Sequence, residues 1–161
     1  MDDVQLNAGT EDALRRTPAE SVFLAYAAMA PIAAGAVAFF VLHGDAAALS
    51  LRLTLDWAGA IVCFLAGVRR GLSFRQPGGP LLSELATMLW LFALGFASLA
   101  VPWAPVALAL QILCFATLAI SDPIAARRAE APRYFARLRP PQMTIPLVSL
   151  VLLLAGVLWR S

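Results

Sequence analysis

Five stretches of this chain are too long and too apolar to face water, and little lies between them that could cover them. They run over about residues 21–43, 50–68, 81–101, 104–121 and 143–159. A helix rises 1.5 Å per residue, so about 20 apolar residues cross a hydrocarbon core roughly 30 Å thick. Composition agrees: 61% of the 161 residues are hydrophobic and 14% charged, against about 25% charged in an ordinary soluble domain. The expected fold is an all-α integral membrane protein, a bundle of five transmembrane helices. The first 20 residues are polar, with Asp2, Asp3, Glu11, Asp12 and Glu20 outweighing Arg15 and Arg16. An acidic leader is a poor signal-peptide n-region, so residues 1–20 read as a retained tail.

Arginine placement sets the orientation. All 12 basic residues are arginine. With five spans, the N-terminal tail, the second-to-third loop and the fourth-to-fifth loop share one side. They hold Arg15, Arg16, Arg69, Arg70, Arg75, Arg127, Arg128, Arg133, Arg137 and Arg139, leaving only Arg52 and Arg160 for the other side. The positive-inside rule then makes the N-terminus cytoplasmic and the C-terminus external, or periplasmic, in a bacterial inner membrane. Trp57, Trp103 and Trp159 fall toward the external interface on this topology, where amphipathic rings settle.

The second span carries the densest pattern. Gly59, Cys63, Gly67 and Gly71 recur every fourth residue, a small-residue face that lets helix backbones approach when lipid removes the hydrophobic drive. Span two is therefore expected at the centre of the bundle. Arg52 and Asp56 lie four residues apart, the spacing at which two helical side chains meet, and are expected to form a local ion pair near the external end. Arg69 and Arg70 close the helix, where cations suit the C-terminus and snorkel to phosphates. Glu84 falls in the first turn of span three, within reach of Arg69, Arg70 or Arg75. The competing reading of Arg52, Asp56 and Glu84 is a solute path, because acidic residues inside spans are functional hypotheses by default.

Residues 122–141 form the one substantial loop. Asp122 followed by Pro123 matches an N-cap and first helical position, so a short helix is expected to start there. Arg133, Tyr134, Phe135, Arg137, Leu138 and Arg139 interleave aromatic, aliphatic and basic side chains. That composition suits a cytoplasmic interfacial segment with its rings at the acyl boundary and its arginines on anionic headgroups; a surface for a protein partner is the rival. A nucleic-acid patch beside a membrane is a poor fit.

No catalytic set emerges. The single histidine, His43, cannot supply a bis-histidine site, there is no lysine for a Schiff base, and Cys63 and Cys114 lack metal-ligand spacing. No catalytic, metal or cofactor-binding residue is expected. An intramembrane enzyme acting on lipid or quinone stays as a minor alternative.

Three segments, "YAAMAP" at 26–31, "FLAGVRRG" at 64–71 and the run from Asp122 through "YFARLR" to Arg139, resemble a family of bacterial and mitochondrial inner-membrane proteins. That family includes mitochondrial transmembrane protein 69. The resemblance covers about residues 20–158 and implies a five-helix inner-membrane protein. No activity is assigned to the family, so it implies no catalytic residue. The functional expectation is a non-catalytic accessory, assembly or structural subunit of a larger membrane complex. The energy-transducing character of that complex rests on the family's mitochondrial members alone. The alternative is a small-solute transporter or channel.

Overall fold

The computed structural model describes residues 19–74, 79, 81–128, 131 and 134–160. These form five helices: α1 (Ala19–Val41), α2 (Gly44–Ser73), α3 (Leu82–Ala100), α4 (Ala104–Arg127) and α5 (Phe135–Arg160). All five are long and apolar enough to cross a membrane, with mean hydropathy between 1.6 and 2.0 over their most apolar windows. The polar tail expected over residues 1–20 lies almost wholly outside the described residues.

The helices alternate in direction. Ser50 Oγ donates to the Gly35 carbonyl at 2.9 Å and Trp57 Nε1 to the Ala28 carbonyl at 2.9 Å, so α1 and α2 run antiparallel. Along α2 and α4 the contacts advance together, from Gln111 on Leu55 to Asp122 on Arg69, so these two are parallel. The same holds for α1 and α5, joined at Ala25–Gln142 and again at Phe39–Arg160. Sequential helices are neighbours, α5 returns to α1, and α2 also touches α4. The result is a closed five-membered ring in which α2 has three neighbours.

Polarity is arranged for lipid. Met29, Ile32, Leu91, Leu108, Phe115, Leu118, Met143, Leu150 and Leu153 are completely buried, yet Phe23, Leu82, Phe96, Ile120, Trp103 and Trp159 stand exposed on the outside. Large apolar side chains on both the inside and the outside of a helical bundle mark one that lies in hydrocarbon. Pro31, Pro123, Pro140, Pro141 and Pro146 all sit inside helices, which membrane bundles tolerate because neighbouring groups take up the freed carbonyls.

Three expectations about boundaries need correction. Span two starts at Gly44, not near 50. Only Leu42 and His43 separate it from α1, and Gly44 makes the sharp turn at φ +58, a conformation that favours glycine. Asp56 stands 12 residues from Gly44 and three from Gly59, which packs against Leu99 in the last turn of α3. The expected short helix at Asp122–Pro123 does not start there, because α4 runs unbroken through both to Arg127. The loop expected over 122–141 is mostly helix, split between the end of α4 and the start of α5.

Candidate functional site

The most concentrated polar chemistry lies where α2 and α4 end and α5 begins. Arg69 projects from the last turns of α2 toward α4. Its Nη2 donates to Asp122 Oδ1 at 2.6 Å and to Ser121 Oγ at 2.7 Å, while Nε donates to the same carboxylate oxygen at 3.0 Å. From α5, Arg139 Nε stands 3.1 Å from Asp122 Oδ2. The side chains of Asp122, Arg139 and Arg69 are 5%, 8% and 14% exposed. One carboxylate therefore holds two guanidinium groups away from water. The cation–anion–cation order leaves the trio with one net positive charge.

The network reaches further. Arg139 Nη1 donates to Gln142 Oε1 at 3.3 Å, and Gln142 Nε2 donates to the Ala25 carbonyl of α1 at 2.9 Å. The Arg139 guanidinium also lies 4.6 Å from the Phe135 ring centre, in cation–π geometry. Four helices are joined in this way, and Glu84 of α3 lines the small cavity of about 30 Å³ beside Arg69, Asp122 and Arg139. That space is enough for a water molecule or two. Glu84 itself accepts from the Leu81 N–H at 3.1 Å, holding the first turn of α3 as a capping carboxylate does.

Next to the cluster, a cleft of about 210 Å³ opens between α1, α2 and α5, walled by Leu24, Ala28, Phe64, Val68, Leu138 and Gln142. Its walls are apolar apart from Ser21, Tyr134, Arg139 and Gln142.

A second buried polar group lies deeper. Gln111 of α4, fully buried, donates through Nε2 to the Leu55 carbonyl at 2.7 Å and to Ser98 Oγ at 3.2 Å; Ser98 in turn donates to the Gly95 carbonyl at 2.7 Å. Gln111 Oε1 is buried without a hydrogen-bond partner. This group fastens α2, α3 and α4 together. Among the described residues no group of three or more His, Cys, Asp or Glu could hold a metal ion.

Sequence reasoning placed some of these residues correctly in space and others not. Gly59 is buried: a Cβ there would lie 2.6 Å from Leu99 Cδ2. Cys63 packs near Gly95, whose own Cβ would fall 3.1 Å from Cys63 Sγ. Both cysteines are free, and Cys114 is wholly buried. Gly67 and Gly71 correct the expected continuous stripe, since they are exposed and a Cβ at either meets nothing within 4 Å. A four-residue repeat advances 40° per step on a helix, so four such positions cannot all face one neighbour.

The expected pair between Arg52 and Asp56 does not form; both are exposed, without an ion pair or hydrogen bond among the described residues. Arg70 stacks 4.2 Å from the Phe74 ring centre and donates to Ser73 Oγ at 3.3 Å. In the segment read as interfacial, Arg137 is exposed and Leu138 half-buried. Tyr134 meets Phe135 edge-on at 5.1 Å, and Arg133 lies outside the described residues. Arg139 is the correction there: because helix α5 begins at Phe135, its period puts Arg139 on the inner face with Gln142, Met143 and Pro146. Asp122, Gln111 and Gln142 were missed as site residues. The available signal was the lone acidic residue in the 104–128 stretch, at the end of an apolar run that arginines follow.

No family model, no curated protein and no solved structure matches this chain.

Proposed function

We propose that this is a non-catalytic inner-membrane protein that serves as an accessory, assembly or structural subunit of a larger, energy-transducing membrane complex. One observation carries this reading. The buried ionisable residues of the described chain, Arg69, Asp122 and Arg139, tie helices to one another around a space of about 30 Å³. A buried network of this kind fixes helix register, and an outer surface of large apolar side chains is left for lipid and other subunits. The resemblance of the motifs quoted above to the family that includes mitochondrial transmembrane protein 69 points the same way.

The orientation belongs to this proposal. Arg69, Arg70, Arg127, Arg128, Arg137 and Arg139 gather at one end of the bundle, and the positive-inside rule puts that end in the cytoplasm. Arg137 then lies beside anionic headgroups. Cysteine labelling checks it: His43→Cys should react with an impermeant maleimide from the periplasm, and Arg137→Cys only after permeabilisation. The reverse pattern inverts the topology.

Native-gel isolation in mild detergent with mass spectrometry tests the subunit reading. Stoichiometric co-migration with a large complex is expected. Migration of this chain without other proteins sinks it. The second reading, a small-solute transporter or channel, draws on Glu84 lining the cavity beside the charge cluster and on Asp56 lying within a span. It requires that Glu84→Gln or Asp56→Asn abolish a solute flux in reconstituted vesicles while the fold survives.

A further inference from the structure

The cleft between α1, α2 and α5 has two unlike ends. Helices α1 and α2 are bonded at Gly35–Ser50 and again at Ala28–Trp57. Past that level a space of about 210 Å³ lies between them, with α5 as its third wall. Leu24 and Phe64, 66% and 65% exposed, stand at its mouth, so it opens sideways from the bundle. Ser21 in the first turn of α1, Tyr134 just before α5, Arg139 and Gln142 make one end polar. Ala28, Met29 and Ile61 line the other, about 10–12 Å further along α1. The polar end is also cationic. Arg139 lines both this cleft and the small cavity beside Asp122, whereas Glu84 lines the cavity alone. The trio of Arg69, Asp122 and Arg139 carries one net positive charge, and the buried Arg139 Nε–H has no hydrogen-bond acceptor among the described residues. The larger groove at the opposite end of α1 and α2, about 530 Å³ beside Ala34, Leu49 and Trp57, has no charged wall.

We propose that the cleft binds one anionic phospholipid, with an acyl chain along Ala28, Met29 and Ile61 and the phosphate at the Arg139 end. Three features select this occupant. A sideways mouth with apolar lips admits a ligand from the bilayer rather than from water. The change from polar to apolar over about 10–12 Å of helix matches an amphipath lying head to tail, not a wholly apolar molecule. The net positive charge and the unused donor call for an anion, since a buried donor without an acceptor is costly and a charge-assisted bond to phosphate is strong. The volume exceeds that of a cavity of about 150 Å³ that holds benzene, so part of one chain fits while the rest of the lipid stays in the bilayer. A zwitterionic lipid offers the same chain and phosphate without the net charge. The inference needs neither the subunit reading nor a choice of which side of the membrane this end faces.

Photo-labelling of the full chain in lipid nanodiscs tests it. Phosphatidylglycerol with a diazirine near the end of one acyl chain should label segments 24–29 and 61–68, mapped by peptide mass spectrometry. Phosphatidylcholine with the same chain should label them about fivefold less, the preference that one basic group confers near anionic lipid. Ala28→Phe, which fills the apolar end, should bring phosphatidylglycerol labelling of 61–68 down to the phosphatidylcholine level. Ile61→Trp intrudes from the α2 wall and serves the same purpose should the first substitution unfold the chain. Ala34→Phe, in the uncharged groove, should leave the labelling unchanged. Arg139→Gln keeps the Arg69–Asp122 pair and removes the net charge, so the preference between the two lipids should vanish. A monodisperse peak in detergent establishes that each variant is folded. The proposal is overturned by equal labelling with the two lipids, by phosphatidylglycerol labelling that favours other segments, or by labelling that survives a folded cleft-filling variant. It is also overturned if the preference persists in folded Arg139→Gln.

Discussion

Helix α2 treats Arg69 and the pair Arg52 and Asp56 oppositely. Arg69 is turned inward, bonded to Asp122 and Ser121; Arg52 and Asp56 are turned outward and meet nothing in the described chain. Seventeen residues separate the two arginines, which leaves them roughly 100° apart around the helix. That rotation decides everything about them. The inward arginine became part of the fold because α4 offers a carboxylate at its level. The outward pair has no complement among the described residues. A charge inside a membrane span is thus structural or available according to the face it occupies, not according to its residue type.

The largest effect should come from Asp122→Asn, which leaves two guanidinium groups buried without an anion. Breaking a buried pair in this way costs about 3–5 kcal/mol, read as a loss of thermal stability in detergent or of folded yield. Replacing all three members together, as Arg69→Met, Asp122→Leu and Arg139→Met, should recover most of that loss, since an apolar set removes the uncompensated charge. A triple variant as damaged as the single one would show that the network does more than satisfy itself. Next, Gly59→Leu should cost about 1–3 kcal/mol through overlap with Leu99. Gly67→Leu, eight residues along the same helix, should leave the stability of the isolated chain within about 0.5 kcal/mol. Equal losses at the two glycines would erase the distinction between the inner and outer faces.

Smaller again, Gln111→Leu removes two donated bonds together with one unsatisfied oxygen. Interhelical hydrogen bonds in membranes average about 0.6 kcal/mol, so a change below roughly 1 kcal/mol is expected. Asp56→Asn should move the melting temperature of the isolated chain least of all. A large shift there would mean that the outward carboxylate has a partner in its own chain after all.

Much of the architecture was legible because hydropathy is additive over a window. Five spans, their order and the gathering of arginines at one end follow from runs of apolar residues that no tertiary contact can disguise. Boundaries were harder. Arg52 and Asp56 weaken the start of the second apolar run, so residues 44–49 fall outside the span read from hydropathy. Yet "AAALSLRL" holds no helix breaker, and α1 packs along it through Gly35, Ser50 and Thr54. Asp122–Pro123 has the local signature of a helix start, and the local rule failed because the carboxylate is engaged by Arg69, 53 residues away in sequence, and by Arg139. Spacing likewise disclosed that Gly59 and Gly67 lie close to one face. It could not reveal which edge of that face meets α3.

The hydrogen bond from Gln142 to the Ala25 carbonyl spans 117 residues, and this separation has a consequence for how the protein is made. At about 5–20 residues per second, Ala25 leaves the ribosome some 6–23 s before Gln142. Arg69 likewise precedes its counter-ion by 53 residues. Throughout that interval the nascent chain holds a guanidinium that has no anion to bind, and its first helix has no closing neighbour. The ring is completed only when the last helix is inserted. A chain interrupted before α5 would therefore reach the membrane with Asp122 facing one arginine instead of two and with one side of α1 open, a form that membrane quality control can distinguish from the finished bundle.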